Sequence, residues 1–318
     1  MKNIAIVLAF LIVESSFTTI KKSAPPVKGN LSGTISLSGA FALYPLVVKW
    51  AEEFRKINPN VKIDISAGGA GKGITDALAK VVDIGMASRD IYPEELKKGA
   101  FTIAVTKDAV LPTISATNPA INELLTKGIK KEIAANIWIT GKYKTWSQAF
   151  GVKLNSPIHV FTRSDAAGAA ETWAKYLNKK QEDLLGIGVF GDPGLAQAVK
   201  KDPLGIGFNN IVYIYDSKTR KQTNGVRVIP IDVNGNGKID PDEDFYGDVN
   251  TLTTAIAAGK YPSPPARDLF FVTQGKPTNP AVVEFIKWIL KDGQKYVHDA
   301  GYINLAPEKI QAELSKFK

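Results

Sequence analysis

Two stretches of this 318-residue chain combine residue types whose spacing suits chemistry on small ions. The first is Val160 to Trp173, VFTRSDAAGAAETW. Arg163 brings a permanent charge and a fork of donors matched to an oxyanion. The amides of Ala167 to Ala170 fall in the first turn of an Ala-rich helix, where N–H groups lack intrahelical partners and lie at the positive end of the dipole. A helix start of this kind attracts anions. Asp165 either caps that helix or holds Arg163 in place. The pattern also fits an ordinary strand-to-helix turn with a surface Arg. Similar turns at Ser38-Gly39-Ala40, at Ala70-Gly71 and at Ser88 favour the functional alternative.

The second stretch, Asp232 to Glu243 (DVNGNGKIDPDE), fills every defined position of the twelve-residue calcium loop D-x-[DN]-x-[DN]-G-x5-E. Asp232, Asn234 and Asn236 would supply side-chain oxygens and Lys238 its carbonyl. Asp240 would contribute directly or through water, and Glu243 with two oxygens. Gly237 sits at the sharp turn. A strand-like run precedes the loop, so the pattern predicts a structural Ca2+ brace rather than a helix–loop–helix sensor. The competing account is an Asn-Gly hairpin turn with fortuitous acids.

The elements that must carry these residues follow from periodicity. Leu31 to Leu37 reads as a strand. Leu43, Leu46, Val47, Trp50, Phe54 and Ile57 give one buried face to a helix over 41–57, with Pro45 tolerated in its first turns. Val61 to Ser66 alternates as a strand. Ala67 to Gly73 reads as a Gly-rich loop, Ile74 to Lys80 as a helix and Val82 to Met86 as a strand. This alternation predicts an α/β, doubly wound parallel sheet. Ligands of such sheets sit beyond the carboxyl ends of the strands, where Ser38, Ala70 and Ser88 fall. The Gly-rich loop fails as a nucleotide P-loop, because Gly71-Lys72 is followed by Gly73 rather than by Ser or Thr.

An extended run from Phe101 and a second at Leu269 to Thr273 read as crossings between two lobes. Lobe one would be 31–107 plus 270–318, and lobe two 108–269. In lobe two, helices are expected at 119–137, interrupted at Gly128, from about Ala167 to Asn178, and at 194–201. Strands are expected at 158–161, 185–190, 205–215 and 226–231. Helices at 282–290 and 307–317 complete lobe one.

Composition limits the function. An apolar fraction of 44% and a charged fraction of 22% describe a globular chain, and the net charge of +9 suits anionic ligands. The Lys and Arg are scattered among acids, without the basic run of a nucleic-acid footprint. With no Cys there are no disulfides, thiol nucleophiles or thiolate metal sites. Residues 1–30 combine a short positive start, ten apolar residues and a Pro-containing linker, which predicts export to a periplasmic or extracellular location. The two histidines, His159 and His298, read as structural.

Ser38-Gly39-Ala40-Phe41 before a helix with Pro45 and Trp50 resembles the phosphate-specific periplasmic binding proteins of ABC importers. So do the Gly-rich stretch, VDIGMASRDIYPEE (82–95), TRSDAAG (162–168) and RDLFFVTQGKP (267–277). The resemblance implies a two-lobe periplasmic-binding-protein fold of type II, each lobe a doubly wound mixed sheet, with two crossing strands as hinge. It implies a monomer that closes on phosphate or a similar oxyanion and delivers it to a membrane permease, with no catalysis and no nucleic acid. On that alignment Arg163 keeps the family's arginine, Asp165 the carboxylate that orients it, Gly168 an amide donor and Phe41 a backbone donor. The family's hydroxyl positions fall at Ala40, Ala70, Ala167 and Ala169, and its Asp acceptor falls near Ser88, with Asp90 as a substitute. Arg89 and Lys72 could add charge for a different anion. Two other readings are a periplasmic phosphatase-like enzyme and an anion sensor.

Overall fold

The computed structural model describes residues 31–318. The expected export segment and linker at 1–30 lie outside the described residues. In the first half of the chain come β1 (Ser32–Gly39), α1 (Tyr44–Ile57), β2 (Asn60–Ala67), α2 (Ala70–Leu78), β3 (Ile84–Ala87) and α3 (Pro93–Lys97). The long strand β4 (Ala100–Ser115) leads to α4 (Ile121–Lys127), α5 (Lys131–Trp138) and α6 (Trp146–Phe150). There follow β5 (His159–Arg163), α7 (Gly168–Tyr176), β6 (Ile187–Val189), α8 (Asp192–Lys201), β7 (Gly205–Asn210) and β8 (Val226–Val228). The chain ends with α9 (Val249–Ala257), β9 (Ala266–Gln274), α10 (Pro280–Leu290) and α11 (Pro307–Ser315).

The strands run β2-β1-β3-β9-β4-β7-β5-β6, with β8 also on β4. β2, β1 and β3 are parallel, as are β7, β5 and β6, whereas β9 and β4 are antiparallel to their neighbours. This is a mixed α/β architecture. β4 and β9 are its spine. Their ladder couples Ala100 with Gln274 through to Ala109 with Ala266, with a register shift between Ala104 and Thr106. Beyond Ala109, β4 leaves β9 and pairs with β7.

Two large apolar clusters lie on either side of this spine. One contains Ile35 to Val105 positions together with Leu269 to Tyr302 positions, and the other draws mainly on 109–266. In the first, α1 buries Leu46, Val47, Trp50, Ala51 and Phe54, the face that 3.6-residue spacing predicts. The Trp50 indole donates to the Gly293 carbonyl at 2.8 Å, so its one polar atom is satisfied inside the core. Replacing it with Ala would cost about 3–5 kcal/mol of packing.

The structure corrects three element boundaries. Ala70 to Gly73 belong to the first turn of α2 rather than to a loop. A Cβ on Gly73 would lie 2.6 Å from both Gly39 Cα and Ser38 O and 2.8 Å from Met86 O. The glycine therefore serves close packing of α2 on the ends of β1 and β3, where a glycine of a loop was expected. α1 begins at Tyr44, preceded by a turn at 41–43 in which Leu43 N and Tyr44 N both donate to Ala40 O. β7 stops at Asn210 and gives way to a short 3-10 turn at Ile211–Tyr213. α9, which the sequence reading passed over, is capped by Asp248.

Candidate functional site

The strand β5 ends in buried Phe161, Thr162 and Arg163, and α7 follows after a short turn. α7 is held down by Ala169, Ala170, Trp173 and Ala174, all buried. The Trp173 ring meets Trp138 edge-on at 5.3 Å and stacks on Phe208 at 6.0 Å. This packing fixes where the first turn of α7 points. Gln181 clips the entry, donating to Asp165 O at 2.6 Å and accepting from Ala167 N at 3.0 Å.

Two uncapped helix starts meet here. Neither α2 nor α7 has a side-chain cap. The Gly71 amide of α2 donates to Ala166 O at 3.1 Å, across the join between the two clusters. Gly168 lies against Ser88, and a Cβ there would overlap both the hydroxyl and the carbonyl of Ser88. Phe41 completes the third side. Its carbonyl accepts from the Tyr213 hydroxyl at 2.8 Å, and its ring packs edge-on to Phe190 with centroids 5.8 Å apart. The same ring centre lies 5.6 Å from the Arg163 guanidinium carbon. These contacts bring Phe41, Gly71, Ser88, Arg163, Asp165 and Gly168 to one junction, with Gly39, Ala40, Ala70, Ala167 and Ala169 next to them in the chain. The four alanines are all buried, so the hydroxyl positions implied by the resemblance are apolar here.

Arg163 is nearly inaccessible. Nε and Nη2 grip Asp165 at 2.9 and 2.6 Å, and Nη1 donates to Asp192 at 2.7 Å. Of the two roles open to Asp165, the structure shows it holding Arg163. Asp192 was not foreseen. Its other oxygen accepts from Asn210, a residue also missed. Burial works against the Arg163 charge, but Asp192 and Asp165 more than offset it and raise its pKa. Burial likewise pushes the Asp192 carboxyl up, against the pull of Arg163. With its guanidinium faced by two carboxylates, Arg163 has little charge to spare, so attraction for an anion must lean on backbone dipoles as well as on Arg163.

Other candidates fall outside this junction or are already engaged. The Ser38 hydroxyl donates to Asp76 at 2.7 Å. Lys72 is half exposed and ion-paired to Asp76. Arg89 makes a bidentate pair with Glu95 and lies over the Tyr92 ring at 4.0 Å, so it is tied within its own loop. Asp90, the suggested substitute acceptor, is exposed and paired with Lys175. His159 meets Asp202 at 2.7 Å.

The loop 232–243 folds around its first and last acids. Asp232 is buried and accepts from Gly235 N and Gly237 N, both at 2.7 Å, and Gly237 takes a φ of +88°. Glu243, also buried, accepts from Val233 N at 2.9 Å and Asn234 N at 3.1 Å. Asp240 accepts from the Asn234 and Asn236 amides and pairs with Lys238 at 2.7 Å. Among the described residues no three acidic or imidazole side chains are arranged to hold a metal ion. The donor set is all oxygen and suits a hard cation.

Residues 24–292 match the family model described as the PBP superfamily domain. The chain belongs to the PBP superfamily. Among relatives of this PBP-superfamily chain, the phosphate-binding protein PstS of Bacillus subtilis is 28% identical over 296 residues, covering 91% of this chain and 87% of the relative. Protein SphX of Synechococcus elongatus is 25% identical over 328 residues, covering 100% of this chain and 90% of its own. Among solved structures, a phosphate-bound crystal structure from Clostridium perfringens aligns with a TM-score of 0.69 at 23% identity, over 86% of this chain and 100% of that one. An ABC-type phosphate transport receptor from Vibrio cholerae aligns at 0.62 and 19%, over 85% and 100%. At these identities the structural likeness speaks for the fold.

Proposed function

We propose that this chain is an extracytoplasmic solute-binding protein that captures inorganic phosphate, or a similar tetrahedral oxyanion, between two lobes and delivers it to an ABC importer. The observation that carries the reading is the meeting of two uncapped helix starts, α2 and α7, beside a buried guanidinium. In this reading the amides of Phe41, Ala70, Gly168 and Ala169 donate to the anion, Arg163 supplies charge, and the Ser88 hydroxyl oxygen accepts a hydrogen bond from a phosphoryl hydroxyl. The lobes are 31–107 with 270–318, and 108–269, closing about β4 and β9. Each charge-assisted hydrogen bond is worth about 1.5–3 kcal/mol, so four alanines in place of hydroxyls lower affinity unless the anion differs. Export, a monomeric state and the absence of turnover belong to the same proposal.

Titration calorimetry with phosphate, arsenate, sulfate and molybdate tests it, with Arg163→Ala as control. Binding of one of these anions, lost by about a hundredfold or more in the variant, is the expected result. Silence across the panel, or a variant that binds as tightly as the parent, would refute the placement of the site. Steady hydrolysis of a chromogenic phosphate ester would instead favour the enzyme reading.

We also propose that the loop 232–243 takes Ca2+ as a structural brace. Its support is the pattern itself, with Asp232 and Glu243 both buried and turned inward to accept from the loop's backbone amides. Binding would turn Asp240 away from Lys238.

A further inference from the structure

Arg267 lies on β9 directly opposite Asp108 on β4, where the two crossing strands run side by side. Asp108 is fully buried and Arg267 is 8% exposed. Taking a guanidinium out of water is costly, so its donors are expected to be well spent. They are not spent on Asp108. That contact is loose, at 3.7 Å, and neither Asp108 oxygen has a hydrogen bond of good geometry, the Ala109 and Ile211 amides nearby notwithstanding. Nη1 instead donates to the Gly168 carbonyl and, at 2.7 Å, to the Thr172 hydroxyl, while Nη2 donates to the Asn210 side-chain carbonyl. Nε has no partner.

These partners share one property. Gly168 and Thr172 are the first and fifth residues of α7, the helix whose start carries the proposed anion donors. Asn210 donates in turn to Asp192, which grips Arg163. Helix carbonyls point toward the C-terminal end, so Arg267 sits behind the seat of the anion rather than in it. A guanidinium serving only to bind the strands together would turn its fork to the carboxylate opposite.

We propose that Arg267 is a positioning residue for anion capture, holding the α7 turn directly and Arg163 through Asn210 and Asp192. The proposal rests on the reading of the α7 turn as the anion site. Because the same residue stands on a crossing strand, movement of that strand and alignment of the donors are mechanically one event.

Arg267→Lys keeps the charge, but a single ammonium cannot reach the α7 turn and Asn210 together. Asn210→Ala cuts only the branch toward Arg163. Inorganic phosphate titrations, melting temperatures and amide hydrogen exchange of the segment 165–176 are compared for the parent and both variants. Parent-like melting, about tenfold or greater loss of phosphate affinity in each variant, and faster exchange at the start of α7 in Arg267→Lys are expected. Affinity within twofold of the parent in Arg267→Lys, or exchange unchanged there, overturns the proposal. So does affinity that falls only in step with melting. A parent that binds no anion refutes the functional reading instead. The exchange of ligand-free α7 still decides whether Arg267 holds that turn.

Discussion

Asp108→Asn isolates the cost of a carboxylate sealed at the crossing strands. Complete burial pushes the Asp108 carboxyl from 3.8 up to about 7, with Arg267 pulling the other way. The folded protein therefore keeps a proton that the unfolded chain releases, and this group stabilises the fold less and less as pH rises from about 4 toward 7. At about 1.4 kcal/mol per unit, the full effect is on the order of 4 kcal/mol, of which about 2–3 kcal/mol falls between pH 5 and 8. Asn cannot titrate. The variant thus loses this part of the pH dependence, whatever constant offset comes from the change of side chain. Urea unfolding of parent and variant at pH 5, 6, 7 and 8, with m-values compared, reads the difference. The parent is expected to lose about 2–3 kcal/mol relative to the variant across that range. Parallel pH profiles would mean that Asp108 is hydrated or otherwise neutralised, and the account of a dry hinge pair would fail.

Gly168→Ala would push a methyl into the hydroxyl and carbonyl of Ser88, so it is expected to cost about 1–3 kcal/mol of stability and about tenfold or more in phosphate affinity, as thermal scans and calorimetry would show. Gly73→Ala forces a Cβ against Gly39 and Ser38 and is expected to cost about 1–3 kcal/mol in urea unfolding. Millimolar Ca2+ is expected to raise the melting temperature of the parent and not that of Asp232→Asn; equal responses would remove the loop as a site.

Much of the chain was legible because apolar spacing and burial agree. The α1 stripe from Leu46 to Phe54 and the long extended runs that became β4 and β9 are examples. Arg163 and Asp165 stand two residues apart, so their pairing could be read locally. The hidden members lie far off in sequence. Asp192 is 29 residues from Arg163, and Arg267 is 99 from Gly168. Nothing in the local pattern of Asp192-Pro193-Gly194 separates a buried counter-ion from an ordinary helix start. Gly73 misled for a related reason. A glycine chosen for close packing looks in sequence like one chosen for freedom, and only the neighbouring strands tell them apart.

The register shift at Ala104–Thr106 gives the spine a place to yield. Elsewhere along the crossing, β4 and β9 are laced together, so under the proposed closure one half of the protein would swing on the other like a door on a single pin. Stapling the two strands beside that pin would leave the fold intact and the door immobile.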